Sequence, residues 1–158
     1  APDTPEIMEE VKTAFAKLDE ERGNIIWIEE MLPKPELNAL EHGCDAFICP
    51  SIYEPLGIVN LEAMACGLPV LCRADPCLDG VVENGFNGWQ WKDEAEFASA
   101  LNTIISNPAL RGQLHQNALA TAARYSAEHF AQQVLDAYQQ AIALKQYESE
   151  HKSILSWV

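Results

Sequence analysis

Four short apolar runs set between stretches of helical periodicity leave this chain few architectures. The runs are Asn24–Ile28 (NIIWI), Asp45–Cys49 (DAFIC), Pro69–Arg73 (PVLCR) and Gly88–Trp91 (GWQW). The first three lack the alternation of apolar and polar side chains that marks a strand with one wet face, so they read as strands buried on both faces. GWQW reads as a brief fourth strand after the Asn87-Gly88 turn. Strands of this kind, separated by helices, form a parallel sheet with helices on both faces. The expected fold class is α/β, a Rossmann-like three-layer domain around a short parallel sheet.

The helices carry their own start and stop signals. Thr4 followed by Pro5 reads as an N-cap with proline at the first helical position. Ile7, Met8, Val11, Ala14, Phe15 and Leu18 then recur at helical spacing until Arg22-Gly23. A proline-bounded loop, Met31–Pro35, leads to a short helix over Glu36–His42 with Leu37 and Leu40 expected inward. A polar loop over Ser51–Leu56 precedes a helix from Gly57 to Cys66, closed by Gly67. Leu78, Val81 and Val82 suggest one helical turn. From Asp93 onward the pattern is all helical: Phe97, Leu101 and Ile104–Ile105 on one helix, Leu110, Leu114, Ala118 and Ala122 on the next, and Phe130, Val134, Tyr138 and Ile142 on the last. The expected domain spans residues 1–146, with a tail over 147–158.

Bulk properties narrow the function. A net charge of −14 argues against a nucleic-acid partner, whose phosphates need Lys and Arg. It argues less strongly against an anionic membrane surface, since a basic patch can be local. No run of apolar residues is long enough to span a bilayer, and the acidic start APDTPEIMEE shows no signal peptide. Five cysteines with no C-x-x-C pair fit reduced thiols and a cytoplasmic setting. The two C-x4-C spacings lack a matching histidine, so the thiols are expected as small buried groups and no metal is expected. His42, His115, His129 and His151 read as surface residues, and Trp27, Trp89 and Trp91 as packing.

In open parallel sheets ligands sit beyond the carboxyl ends of the strands. The richest strand end is CPSIYEPLGIVNLEAM, from Cys49 to Met64. Glu54 stands in the loop, and Glu62 stands on the helix that follows. Between them Gly57, Ile58 and Val59 open the helix with free N–H groups, a ready anion site favoured by the helix dipole. Gly57 lets a ligand approach the backbone closely. Phosphates at the helix end, with a carboxylate on each side for hydroxyls, suit a nucleotide sugar. Spacing alone favours the plainer reading, in which both glutamates are solvated residues flanking an amphipathic helix.

EPLGIVNLE, from Glu54 to Glu62, resembles the E-x7-E signature of retaining GT-B glycosyltransferases. The surrounding CPSIYEPLGIVNLEAMACGLPV is similar to the form found in bacterial glycogen synthases of the actinobacterial type, as are PDTPEI and WIEEMLPKPEL (Trp27–Leu37). The likeness is dense over residues 2–72. The later Ser106–Tyr138 segment resembles the helical end of the superfamily less specifically. The resemblance implies the C-terminal, donor-binding half of a GT-B fold, and a role for each matched residue. Glu54, the catalytic candidate, would bind hydroxyls of the transferred sugar. Gly57, Ile58 and Val59 would present amides to the sugar and diphosphate, Glu62 would hold the ribose, and Met31 and Leu32 would lie near the nucleobase. No protein nucleophile and no cofactor is implied. Fixed donors that stabilise developing charge would carry the chemistry.

Two departures stand beside the likeness. The family's Gly-Gly-x-Pro-Glu stretch is replaced by Asp75-Pro76-Cys77-Leu78-Asp79-Gly80, which is similar to some lipid-modifying members. The two strands that precede PDTPE in the family, with their donor-gripping Arg and Lys, are not in the sequence. The resemblance therefore implies a partial donor-binding domain, inactive alone, whose acceptor would be held by a missing N-terminal domain. The leading expectation is glucosyl transfer from ADP- or UDP-glucose to an α-glucan, in glycogen biosynthesis. The alternatives are a lipid or small-molecule acceptor, or a non-catalytic Rossmann-like interaction module.

Overall fold

The structure is a computed structural model that describes residues 4–54 and 57–155. Pro55 and Leu56 of the expected Ser51–Leu56 loop lie outside the described residues, as do residues 156–158 of the expected tail. The chain divides into two compact units, residues 1–37 and 38–158. In order the elements are α1 (Pro5–Arg22), α2 (Lys34–His42), β1 (Phe47–Cys49), α3 (Ile58–Ala65), β2 (Val70–Arg73), a 3₁₀ turn (Pro76–Leu78), β3 (Gly88–Trp91), α4 (Glu94–Ser106), α5 (Pro108–Ala123) and α6 (Ala127–Leu155).

In the first unit the expected cap forms: Thr4 Oγ1 accepts the Ile7 N–H at 3.4 Å, with Pro5 at the first helical position. Gly23 ends α1 in the left-handed region, and its N–H donates to the Asp19 carbonyl at 2.7 Å. Asn24–Ile28, expected as a strand, is not one. A strand is held by its ladder to a neighbour, and the sheet among the described residues begins at β1. Trp27 instead packs on Phe15 of α1, ring centroids 5.0 Å apart, while Ile26 stays 87% exposed.

In the second unit β1, β2 and β3 form a parallel sheet in that order, with Cys49 opposite Cys72 and Arg73 opposite Trp91. Side chains of β2 alternate between faces. Val70 and Cys72 join Ala63 and Met64 of α3, with Leu78, Val82 and Ala118, in one buried cluster. Leu71 joins Ala100 and Ile104 of α4, and Leu114 of α5, in the other. This is the three-layer α/β arrangement read from the sequence. α5 contributes to both clusters, closing the layers along one side.

Gly88 has a packing reason to be glycine, because a Cβ there would fall on the Val70 carbonyl of the neighbouring strand. The crossover from β2 to β3 is held by Asn87, fully buried. Its Oδ1 accepts the Glu83 N–H at 2.8 Å, and its Nδ2 donates to the Val81 carbonyl and Thr121 Oγ1, each at 2.9 Å. On α2 the residue that turns inward is Glu41, which accepts from Cys66 Sγ at 3.2 Å. Leu40, expected inward, is exposed and joins neither buried cluster. Of the thiols expected to be buried, Cys44 and Cys77 are exposed. The expected boundary at residue 147 falls inside α6, a helix of 29 residues. Among the described residues no helix is long and apolar enough to cross a membrane.

Neighbouring isoleucines on α4 test this layering: Ile104 is fully buried and Ile105 is 58% exposed. Ile104→Ala is expected to lower stability by about 2–5 kcal/mol in urea unfolding, whereas Ile105→Ala stays within about 0.5 kcal/mol of wild type.

Candidate functional site

The strands end at Cys49, Arg73 and Trp91 on one edge of the sheet, and the loops leaving that edge carry the candidate residues. Cys49 Sγ donates towards Ser51 Oγ at 3.5 Å and lies 4.0 Å from Glu54 Oε2. Glu54 is half-buried, and its Oε1 accepts the Gly57 N–H at 3.1 Å. The Gly57 amide, expected free for a ligand, is therefore capped by the chain's own carboxylate. The reason is local: Gly57 stands at the N-cap of α3 and has no side chain to cap it, and a nearby anion is favoured by the exposed N–H groups and the helix dipole. The Ile58 and Val59 amides have no acceptor among the described residues.

Gly57 adopts φ 67°, a left-handed conformation that favours glycine. A Cβ there would lie 2.7 Å from Leu78 Cδ2 and 3.0 Å from Asn60 Nδ2. Asn60 itself is fully buried, and neither its Oδ1 nor its Nδ2 has a partner among the described residues. An unpaired buried amide costs about 1–3 kcal/mol.

The loop after β2 reaches the same place. Asp75 Oδ2 accepts the Glu54 N–H at 3.4 Å, and Oδ1 accepts the Cys77 N–H at 2.9 Å, capping the 3₁₀ turn. The Asp75 N–H donates to Gln90 Oε1 at 3.3 Å, and Gln90 Nε2 donates to Asp79 Oδ1 and the Val82 carbonyl. The Cys77 and Glu54 N–H groups hold the Asp75 carboxyl below its ordinary range, against a smaller opposing desolvation. The bond to Asp75 pushes the Cys77 thiol up. Burial, then Cys49 and Asp75, push the Cys72 thiol to about 12, so it stays protonated at neutral pH and is no nucleophile. Arg73 sets a cation at this edge, its guanidinium 5.8 Å from the Trp91 ring centroid.

Glu62, half-buried on α3, lines a groove of about 740 Å³ with Ile58, Leu61, Tyr125 and Phe130. That groove does not include Glu54, so the two glutamates flank α3 rather than share one cavity. Met31 and Leu32 belong to the first unit, where Met31 is 93% exposed and Leu32 half-buried. Sequence reasoning missed the work of Asp75. Asp75-Pro76 carries the same cap-then-proline signal as Thr4-Pro5, but the amide of Glu54 that it also holds lies far back in the chain. Nothing in the sequence marked Asn60, since only packing decides that its amide is sealed.

The profile of the family described as glycosyl transferases group 1 matches residues 9–121. This chain belongs to that family. The alpha-maltose-1-phosphate synthase of Mycolicibacterium smegmatis is 36% identical over 155 residues, which cover 90% of this chain and 39% of that protein. The D-inositol 3-phosphate glycosyltransferase of Stackebrandtia nassauensis is 38% identical over 109 residues, 68% of this chain and 25% of that one. Among solved structures, sucrose-phosphate synthase from Thermosynechococcus elongatus matches with a TM-score of 0.69 at 26% identity, over 85% of this chain and 35% of its own. Anabaena HepE in complex with UDP matches with a TM-score of 0.71 at 26% identity, over 84% and 36%. The fold is thus that of GT-B glycosyltransferases, and the chain spans about 39% of the length of the maltose-1-phosphate synthases.

Two substitutions test the family member's own geometry. Gly57→Ala is expected to lower stability by more than about 1 kcal/mol, read in urea unfolding, from positive φ and the Leu78 contact together. The depressed Asp75 pKa contributes stability above its unfolded value of about 3.9, and that contribution is lost as pH falls through the folded value. Asp75→Asn is therefore expected to melt earlier than wild type at pH 7, with the gap closing below about pH 4.

Proposed function

We propose that this chain is the nucleotide-sugar-binding part of a retaining glycosyltransferase that takes glucose from ADP- or UDP-glucose. The observation that carries the reading is the α3 N-terminus, where the Ile58 and Val59 amides stand open beside a carboxylate already seated on Gly57. That end holds one anion now, and a donor diphosphate is the anion it suits. The HepE structures in complex with UDP support a uridine nucleotide on this fold.

On this reading the Ile58 and Val59 N–H groups meet the diphosphate, Glu54 accepts from sugar hydroxyls, and Glu62 accepts from the ribose. Met31 and Leu32 serve the base. No side chain acts as a nucleophile. Catalysis comes from fixed N–H donors at the leaving diphosphate, where charge develops in the transition state. The donor itself is the substrate, and no cofactor is required.

For the acceptor, the resemblance to glycogen synthases favours an α-glucan. The relatives favour a second reading, a small phosphorylated sugar or polyol: one is named for D-inositol 3-phosphate, and two are named as synthases of maltose-1-phosphate and sucrose-phosphate. A lipid acceptor has weaker support from a monoglucosyldiacylglycerol synthase, 34% identical over 87 residues. In each case the acceptor would be held by a part of the protein outside this chain.

Calorimetric titration of ADP-glucose and UDP-glucose into the 158-residue chain tests the donor reading. Saturable binding is expected, weakened at least about tenfold by Glu62→Ala. A folded chain that binds neither nucleotide sugar would refute it and leave an interaction module.

A further inference from the structure

Two asparagines are equally sealed in the second unit, and only one of them is used. Asn87 spends its amide on three hydrogen bonds, to the Glu83 N–H, the Val81 carbonyl and Thr121 Oγ1. Asn60 is as inaccessible and makes none. Native proteins rarely leave a buried amide unpaired, so one that stands unpaired calls for a physical explanation.

Its surroundings name that partner. The point beside the Gly57 Cα where a Cβ would stand is 3.0 Å from Asn60 Nδ2 and 3.7 Å from Glu54 Cγ. The orphaned amide and the Glu54 side chain thus flank the same glycine. Glu54 meanwhile holds the Gly57 N–H with Oε1, and among the described residues its other oxygen meets the Cys49 thiol at 4.0 Å, a weak donor. The anion at the end of α3 is the chain's own carboxylate.

We propose that Asn60 is a positioning residue that receives the Glu54 carboxylate when a ligand's diphosphate takes the Gly57 amide. This deepens the donor-binding reading and rests on it. A diphosphate at the helix end competes for the same N–H and repels the carboxylate. A displaced carboxylate with no donor would stay unpaired beside a second anion, which is costly in a partly dry site. Asn60 Nδ2 offers it a replacement N–H from the buried side. One hydrogen bond is exchanged for another, no proton moves, and Glu54 remains anchored where it can face the sugar.

The test uses inorganic pyrophosphate as the probe and Asn60→Leu, an apolar substitution of similar size, in the same chain. The expected result is a split: the melting temperature holds or rises because an unpaired buried amide is gone, while pyrophosphate affinity falls roughly tenfold. In a Glu54→Gln background, where no charge has to be rehoused, Asn60→Leu is expected to change that affinity by less than about twofold. Asn60→Ala gives the same comparison if leucine does not fit. Unchanged affinity in Asn60→Leu would mean that Asn60 merely packs or holds a buried water, and the proposal fails. It fails equally if the folded wild-type chain does not bind pyrophosphate. Asn60-dependent pyrophosphate binding without binding of either nucleotide sugar would sustain the Asn60 role and overturn only the identity of the donor.

Discussion

β2 is wanted on both sides at once. Val70 and Cys72 are needed by the cluster under α3, and Leu71 by the cluster under α4, so every residue of VLC is sealed. A strand in that position can pair only with strands that are themselves brought in parallel by crossovers, because helices must cover both faces. Gly88 lets β3 come close enough to do so, and Asn87 fastens the crossover by supplying hydrogen bonds to backbone that would otherwise be buried without them. α3 and α4 meet opposite faces of β2, and α5 packs against both helices as well.

The site follows from the same arrangement. Parallel strands end on the same edge, so the loop after β1 and the loop after β2 emerge as neighbours, and the Glu54 N–H reaches Asp75. Asp75 holds that backbone, Gln90 from β3 holds Asp75, and α3 presents its first amides between them. Both loops are thus tied to the sheet, which is the kind of preorganisation that fixed-donor catalysis needs. The buried Cys72 thiol, held protonated, adds packing and no reactivity.

Two carboxylates do different work because α3 puts them in different surroundings. Glu54 sits at the helix end, bonded to Gly57 and tethered through its own backbone. Glu62 sits a turn further on, beside an apolar groove shared with Tyr125 and Phe130. In a chain of net charge −14, the positive potential at the end of α3 comes from its N–H groups and the helix dipole rather than from abundant Lys and Arg. Arg73, its guanidinium 5.8 Å from the Trp91 ring centroid, places a cation at the end of β2.

The α/β class, the segments that become β1, β2 and β3, the cap at Thr4, and the helix opened by Gly57 were all legible from periodicity and local residue chemistry, because each depends on neighbours within a few positions. The Glu54–Glu62 motif was legible too, through its likeness to the family. The strand expected at Asn24–Ile28 was not decided locally, since an apolar run becomes a strand only where a ladder partner exists. Nor was the state of the site: that Glu54 occupies the Gly57 amide, that Asp75 grips the Glu54 backbone, and that one asparagine is paired while another is not. Those depend on residues far apart in the chain meeting at one edge of the sheet, and a hydrogen bond extends only about 3 Å. Sequence alone determined which residues could serve the site, and tertiary structure alone decided which of them touch.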